Sequence, residues 1–290
     1  MTAFLRPANW SQALQLRAEY PDALVVAGGT DVCVDINFGR LSPECVLDIS
    51  AVPELAVNTR SDERLRIGAA VTYSRLLAEI QADLPALAAA ARTVGSPQIR
   101  NRGTIGGNLG TSSPAGDCHP PLLASRAEIE ISSVTGTRMV AAAEFFVAPK
   151  RNVLLPGELV AAVHVPRAAG PQVFTKTGTR NAMVIAMCSL ALVLDPATRR
   201  VGTGIGSAGP VPLQAVQAQD YLTEALNAAG QWERPRPLPP DLISGFADRV
   251  AAAARPIDDV RGSAAYRVHA LRVLAGRALT WAWDEVREMP

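Results

Sequence analysis

Two segments that run into paired glycines constrain this 290-residue chain most. The first is "VVAGGTDV", Val25 to Val32, in which a β-branched run meets Gly28-Gly29 and then a hydroxyl and a carboxylate. The second is "TIGGN", Thr104 to Asn108, inside "GSPQIRNRGTIGGNLGTSSPAGD" at 95–117. Backbone without side chains can come close to a phosphoryl oxygen, and successive N–H groups can form a nest for its charge. Gly28-Gly29-Thr30 also precedes a predicted helix, whose N-terminal partial charge would add to the effect. Two nests suit a diphosphate gripped between two lobes, and hence a dinucleotide. Taken alone, each pair is more often a tight turn. Neither fits the GxGxxG or lysine-bearing P-loop patterns, so nucleotide hydrolysis is not indicated.

Composition narrows the classes further. With 28 basic and 27 acidic residues the formal charge is +1, which offers no general attraction for nucleic acid. Cys33, Cys45, Cys118 and Cys188 lie far apart without a CxxC pair, which argues against a zinc or iron-sulfur site and for reduced thiols in the cytoplasm. The N-terminus lacks the apolar core of a signal peptide. The longest apolar run, "VIAMCSLALVL" from Val184, is shorter than the roughly 20 residues a membrane span needs. His119, His164 and His269 share no ligand spacing, and Ser112 and Ser113 lack a nucleophile context, so neither a metal centre nor a catalytic triad is expected.

Periodicity predicts a helix over 11–19 with Ser11 as its cap, a buried strand at "ALVVA", and a second strand at "CVLDIS". A strand, a turn at Thr72 and a helix follow in "LRIGAAVTYSRLLAEI", then a helix opened by Pro85. Residues 95–117 read as irregular and least core-like. "RSDERLR" at 60–66 reads as a solvated hairpin, "AEIEISSVTGTRMVA" as a half-buried hairpin, and "ELVAAVHVP" as a strand ended by Pro166. The Gly/Pro break "RAAGP" at 167–171 marks a domain boundary. Beyond it "VFTKTG", "IAMCSLALVLD" and "VGTGIGSAGP" suggest a small antiparallel sheet, followed by helices over "DYLTEALNAAG", "DLISGFADRVAAAA" and from about Ser263. "QWERPRPLPPD" reads as an exposed loop, and Arg267, Arg272 and Arg277 as a basic outer face of the last helix. Arg100 and Arg102 are solvated, or they help hold phosphate or meet an acidic partner; Lys176 is an edge-strand charge or a site residue; Asp117 is a turn cap or a site residue.

Four segments in order, "AGGTD" at 27–31, "PQIRNRGTIGGNLGTSSPAGD" at 97–117, "FTKTGTRNAMVIA" at 174–186 and "DDVRGSAAYR" at 258–267, together resemble the FAD-binding medium subunit of the molybdenum hydroxylases, the xanthine and carbon monoxide dehydrogenase group. The resemblance implies an α+β chain: a two-lobed FAD-binding domain of the vanillyl-alcohol oxidase (PCMH) type over 1–168, with lobes of about 1–55 and 56–168, and a smaller α+β domain over 169–290. By motif it assigns Val25, Val26, Ala27, Gly28, Gly29, Thr30, Asp31 and Val32, with Thr104, Ile105, Gly106, Gly107 and Asn108, to the FAD pyrophosphate, and sets Thr111 alongside. Asp117 would bind the adenosine end, Val160 would line the site, and Lys176 would stand near the isoalloxazine. Val94 falls where some relatives place an aromatic against the flavin. No catalytic or metal-ligating residue is implied.

In such a complex molybdopterin sits in a large subunit and two 2Fe-2S clusters in a small one. Electrons reach FAD singly and leave as a pair for an acceptor such as NAD. The implied assembly is cytoplasmic, a heterotrimer or a dimer of heterotrimers, without nucleic acid or a membrane span. A free-standing FAD-dependent oxidase or reductase on the same fold is the alternative, and it would need substrate-binding residues over the flavin.

Overall fold

A computed structural model describes residues 2–167 and 169–289. The chain opens as β1 (Ala3–Leu5), α1 (Trp10–Glu19), β2 (Leu24–Val26), α2 (Val32–Asn37) and β3 (Cys45–Asp48). These strands form a parallel sheet in the order β1-β3-β2. Helix α1 starts one residue before Ser11. Its cap is Asn9, whose side chain accepts from the Gln12 N–H at 2.9 Å, so the predicted Ser11 cap is corrected. Strand β2 is half-buried rather than buried, because the sheet has only three short strands to cover it.

An antiparallel sheet of order β4-β5-β10-β6-β7 follows, built from β4 (Asn58–Arg60), β5 (Arg64–Gly68), β6 (Glu128–Ser133), β7 (Gly136–Ala141) and β10 (Leu159–Pro166). Leu65, Ile67, Ile129, Ile131, Val163 and Val165 alternate inward from its three central strands into one core with Leu47, Leu76 and Phe145. Between β5 and β6 lie α3 (Tyr73–Glu79), α4 (Pro85–Thr93), α5 (Pro97–Arg102), α6 (Ile105–Thr111) and α7 (His119–Ala124). The short α8 (Ala142–Phe145) and the hairpin of β8 (Phe146–Ala148) and β9 (Arg151–Asn152) lead into β10.

Residues 95–117 therefore differ from expectation: two helices cross them, and Ile105, Gly106 and Leu109 are buried. Glycine content hid the pattern. Ser96 and Thr104 are N-caps whose hydroxyls accept from the N–H groups of Ile99 and Gly107. A bulge in β10 at Ala161 offsets the ladder to β6. The Ala161 carbonyl accepts from Ala69 N–H at 3.0 Å, and Ala69 in turn accepts from Gly106 N–H at 2.9 Å, so the sheet sets the position of α6.

The second unit is the antiparallel sheet β11 (Gln172–Thr177), β12 (Cys188–Asp195) and β13 (Arg200–Gly206), with α9 (Val216–Ala228), α10 (Pro240–Ala253) and α11 (Ala264–Glu288). Strand β12 is buried along its whole length, since helices cover both faces, and so its apolar run does not alternate. The sequence "VGTGIG" lays Gly202 and Gly204 directly on α7. A Cβ on either would overlap the carbonyl oxygen of Ala124 or Pro120. The 167–171 break includes Ala168, which lies outside the described residues.

Two expectations fail here for packing reasons. Gln231 and Trp232 of the Pro-rich segment are buried, Trp232 lying edge-on to Trp283 at 5.6 Å. Arg267 is buried too, 3% exposed, not on an outer face. Trp283 fills the centre of the second core and its indole N–H donates to the Arg236 carbonyl at 2.8 Å. Trp283→Ala is expected to destabilise this unit by about 3–5 kcal/mol, read from denaturant unfolding.

Candidate functional site

Strand β2 delivers Val25 and Val26 into the turn Ala27-Gly28-Gly29-Thr30-Asp31, and α2 begins at Val32. Gly29 has φ +74°, a conformation glycine adopts without strain. Among the described residues no N–H of Gly28, Gly29, Thr30 or Asp31 donates within the protein. Gly28 lies against the end of α5. A Cβ there would sit 3.0 Å from the Gly103 Cα and overlap the Arg102 carbonyl oxygen. The two glycine segments thus meet backbone to backbone.

The second segment is built differently from the first. Ile105 N–H donates to Val71, Gly106 to Ala69, Gly107 to the Thr104 hydroxyl and Asn108 to the Thr104 carbonyl, at 2.9–3.1 Å. Every first-turn donor of α6 is used, so this segment is no open nest and the expectation of two equivalent nests is corrected. What α6 offers is a smooth wall: Gly110 has open space where a side chain would stand, and Gly107 meets only the Thr104 Oγ1. Thr111 ends the helix half-buried. Val160 is buried in β10, one residue before the bulge that anchors α6.

Asp117 and Lys176, assigned from the resemblance to opposite ends of FAD, meet in one ion pair at 2.5 Å with both side chains buried. Thr93 Oγ1 donates to the same Asp117 Oδ2 at 3.0 Å, and Lys176 Nζ also approaches the Thr93 carbonyl at 3.4 Å. Burial pushes the Asp117 carboxyl above its usual range, while Lys176 acts in the opposite direction. Asp117 Oδ1 and Asn108 Oδ1 are buried without a hydrogen-bond partner. Such oxygens are costly unless a ligand supplies the donor. A cavity of about 510 Å³ opens beside Thr93 and Lys176 and is walled by the 178–184 segment. A groove of about 570 Å³ bordered by Arg126, Arg167 and Arg200 contains none of the expected site residues.

Sequence reasoning missed Tyr73 and Thr93. Tyr73 is buried, its ring packs under Gly103, and burial with the nearby Cys118, Asp117 and Asp31 raises its hydroxyl pKa. The bridge between Thr72 and Thr104 places Tyr73 there, and no local motif announces it. Arg100 Nη1 donates to the carbonyls of Val94 and Gly95, at the end of α4. Val94 packs into the first core. The residues present suit a dinucleotide: free backbone donors beside a glycine wall, and two unpaired buried acceptors.

Residues 1–168 match the family described as FAD binding domain in molybdopterin dehydrogenase, and 174–282 match the CO dehydrogenase flavoprotein C-terminal domain. The chain belongs to this family and is an FAD-binding oxidoreductase subunit of the molybdenum hydroxylase kind. It is 30% identical to the glyceraldehyde dehydrogenase medium chain of Sulfolobus acidocaldarius, over 95% of this chain and 96% of that one. It is 29% identical to a xanthine dehydrogenase FAD-binding subunit of Escherichia coli, over 97% and 95%. A solved carbon monoxide dehydrogenase of Hydrogenophaga pseudoflava superposes with a TM-score of 0.88 at 27% identity, covering 98% of each chain. The expected α+β fold, an FAD-binding domain followed by a C-terminal domain, is the observed one.

His119 is fully buried against Phe146 at 4.5 Å, and burial lowers its pKa from 6.5 to about 4. The unfolded chain therefore binds this proton first, and stability falls as pH drops from 6.5 through about 4, by roughly 3 kcal/mol in all. His119→Gln should flatten that slope in unfolding titrations. Lys176→Met leaves Asp117 buried without its counter-charge and is expected to cost about 3–5 kcal/mol, measured by denaturant midpoint.

Proposed function

We propose that the chain is the flavin-bearing electron-transfer subunit of a complex with a large molybdopterin-binding subunit and a small 2Fe-2S subunit, passing electrons to a terminal acceptor such as NAD. The observation that carries this is the run of free N–H groups at Gly28–Asp31, held against Arg102 and Gly103. When bound, the flavin supplies the redox chemistry, exchanging one or two electrons.

The protein's own residues bind and orient. Backbone donors of Gly28, Gly29, Thr30 and Asp31 take the diphosphate, with Val25, Val26, Ala27 and Val32 shaping the turn around them. Thr104, Ile105, Gly106, Gly107 and Thr111 form the wall, and Val160 backs it. Asn108 Oδ1 and Asp117 Oδ1 accept ligand O–H or N–H groups, and Lys176 fixes the Asp117 carboxylate. The pair addresses one part of the cofactor, since its members touch. Two domains, 1–168 with lobes of about 1–55 and 56–168, and 169–290, fit the two family matches. A cytoplasmic site and assembly as a heterotrimer or its dimer fit four free cysteines and relatives named as medium chains. Among the described residues no helix is long and apolar enough to cross a membrane.

The expressed chain should carry about one flavin per folded molecule, read from its visible spectrum. Gly28→Ala should abolish that band while the C-terminal unit melts unchanged, because its Cβ pushes the turn off Arg102. A folded wild-type chain that binds no flavin would overturn the reading. Purification from its host should bring down a molybdopterin subunit and an iron-sulfur subunit; flavoprotein recovered with neither would favour a free-standing enzyme.

A further inference from the structure

The groove of about 570 Å³ lies where the end of β10, the residues after α7, the β12–β13 turn and α9 meet, and none of the residues assigned to the flavin lines it. Its volume is that of a small-molecule site. The arginines around it are not equivalent. Arg167 is paired with Asp83 at 3.1 Å and Arg199 with Glu233, so both are committed to carboxylates of the protein. Asp195 is engaged as well, its Oδ2 accepting from the Thr198 hydroxyl at 2.8 Å. Arg126 and Arg200 remain. Among the described residues the Arg126 guanidinium has no hydrogen bond or ion pair, and Arg200 makes one bond, from Nη1 to the Ala124 carbonyl at 2.9 Å.

Arg126 is held there under strain. It follows α7 in the left-handed region, φ +54°, with its N–H donating to Leu123 at 3.1 Å and the next N–H, of Ala127, to Leu122 at 2.9 Å. Glycine is the usual residue in this kind of helix stop, because a Cβ is disfavoured there. No polar contact within the protein offsets that strain. The Arg126 charge instead opposes Arg200: burial first, and Arg126 second, lower the Arg200 pKa, with Asp195 acting the other way. Two guanidiniums facing one groove become favourable when an oxyanion lies between them, since each planar fork can direct two N–H groups at it.

The α9 side of the groove is different. Asp220 and Thr223 stand three apart on that helix and so share a face, and neither side chain has a partner among the described residues. A carboxylate there repels a bare anion and accepts from hydroxyl groups. The ligand that satisfies both sides is anionic at one end and rich in hydroxyls at the other.

We propose that this groove binds a sugar phosphate, with the phosphoryl group between Arg126 and Arg200 and the sugar hydroxyls donating to Asp220 beside Thr223. The site stands apart from the flavin residues, and the inference does not rest on the flavin reading.

The test uses the full chain with FAD in excess, so that the Gly28–Asp31 turn is filled, and titrates inorganic phosphate and ribose 5-phosphate by calorimetry at constant ionic strength. Wild type should bind ribose 5-phosphate about tenfold more tightly than inorganic phosphate, through the added bonds to a charged acceptor. Arg126→Gly should weaken both probes by about tenfold or more. It should nevertheless melt no lower than wild type in chloride buffer, because glycine relieves the left-handed strain. Asp220→Asn should weaken ribose 5-phosphate and leave inorganic phosphate as tight or tighter, so that the two affinities converge. Wild type that binds neither probe overturns the proposal. Binding that Arg126→Gly leaves unchanged means an adventitious ion only and overturns it too. Equal wild-type affinities for the two probes, or an unchanged ratio in Asp220→Asn, overturns the assignment of a sugar phosphate. Arg126→Gly melting below wild type in chloride would show that the fold itself requires the arginine, which is equally fatal.

Discussion

The site depends on one backbone lying directly on another. Gly28 meets Arg102 and Gly103 with no room for a Cβ between them, so the turn after β2 and the start of α6 share a border. Any side chain at Gly28 would wedge the parallel sheet away from the antiparallel one. The free donors at Gly28–Asp31 would then face solvent instead of a wall. The same device seats the second domain, where Gly202 and Gly204 let β13 lie on the backbone of α7. Close approach of this kind trades side-chain burial for position, and position is what a cofactor cradle requires.

A buried ion pair adds the electrostatic link between the domains. Lys176 comes from β11 and Asp117 from the connection ahead of α7, so the pair crosses the boundary that the glycines pack. Its remaining oxygen is unpaired, which is unfavourable in the chain by itself and favourable when a donor arrives. Buried pairs of this sort seldom add much net stability, but they fix geometry, because either charge alone is strongly disfavoured there. Around it the order runs outward: the β10 bulge sets Ala69, Ala69 sets Gly106, and α6 presents a face without side chains.

Strands and helices with clean periodicity were legible in the sequence. The turn at Thr72, the helix at Pro85, the 128–141 hairpin and the final helix from Ser263 all carry local signals strong enough to survive tertiary context. The failures share a cause. Residues 97–102 and 105–111 are helical because Ser96 and Thr104 cap them, and Ala69 and Val71, just past β5, supply carbonyls for the first N–H groups of α6, which no local window of sequence contains. Trp232 and Arg267 read as exposed because the groups that enclose them, Trp283 for the first and the Met187 and Ser207 carbonyls for the second, lie far off in the chain.

The sequence by itself determined the glycine pairs, the apolar alternation of the sheets and the four-segment pattern that marks the family, because each is written in residues close together in the chain. Only the tertiary structure decided that one glycine turn keeps its donors while the other spends them, that Asp117 and Lys176 form a single pair, and that Tyr73 and Thr93 belong beside them. Those outcomes turn on which hydrogen-bond partners are within reach. Reach is fixed by how distant segments pack, and local spacing along a chain carries no record of it.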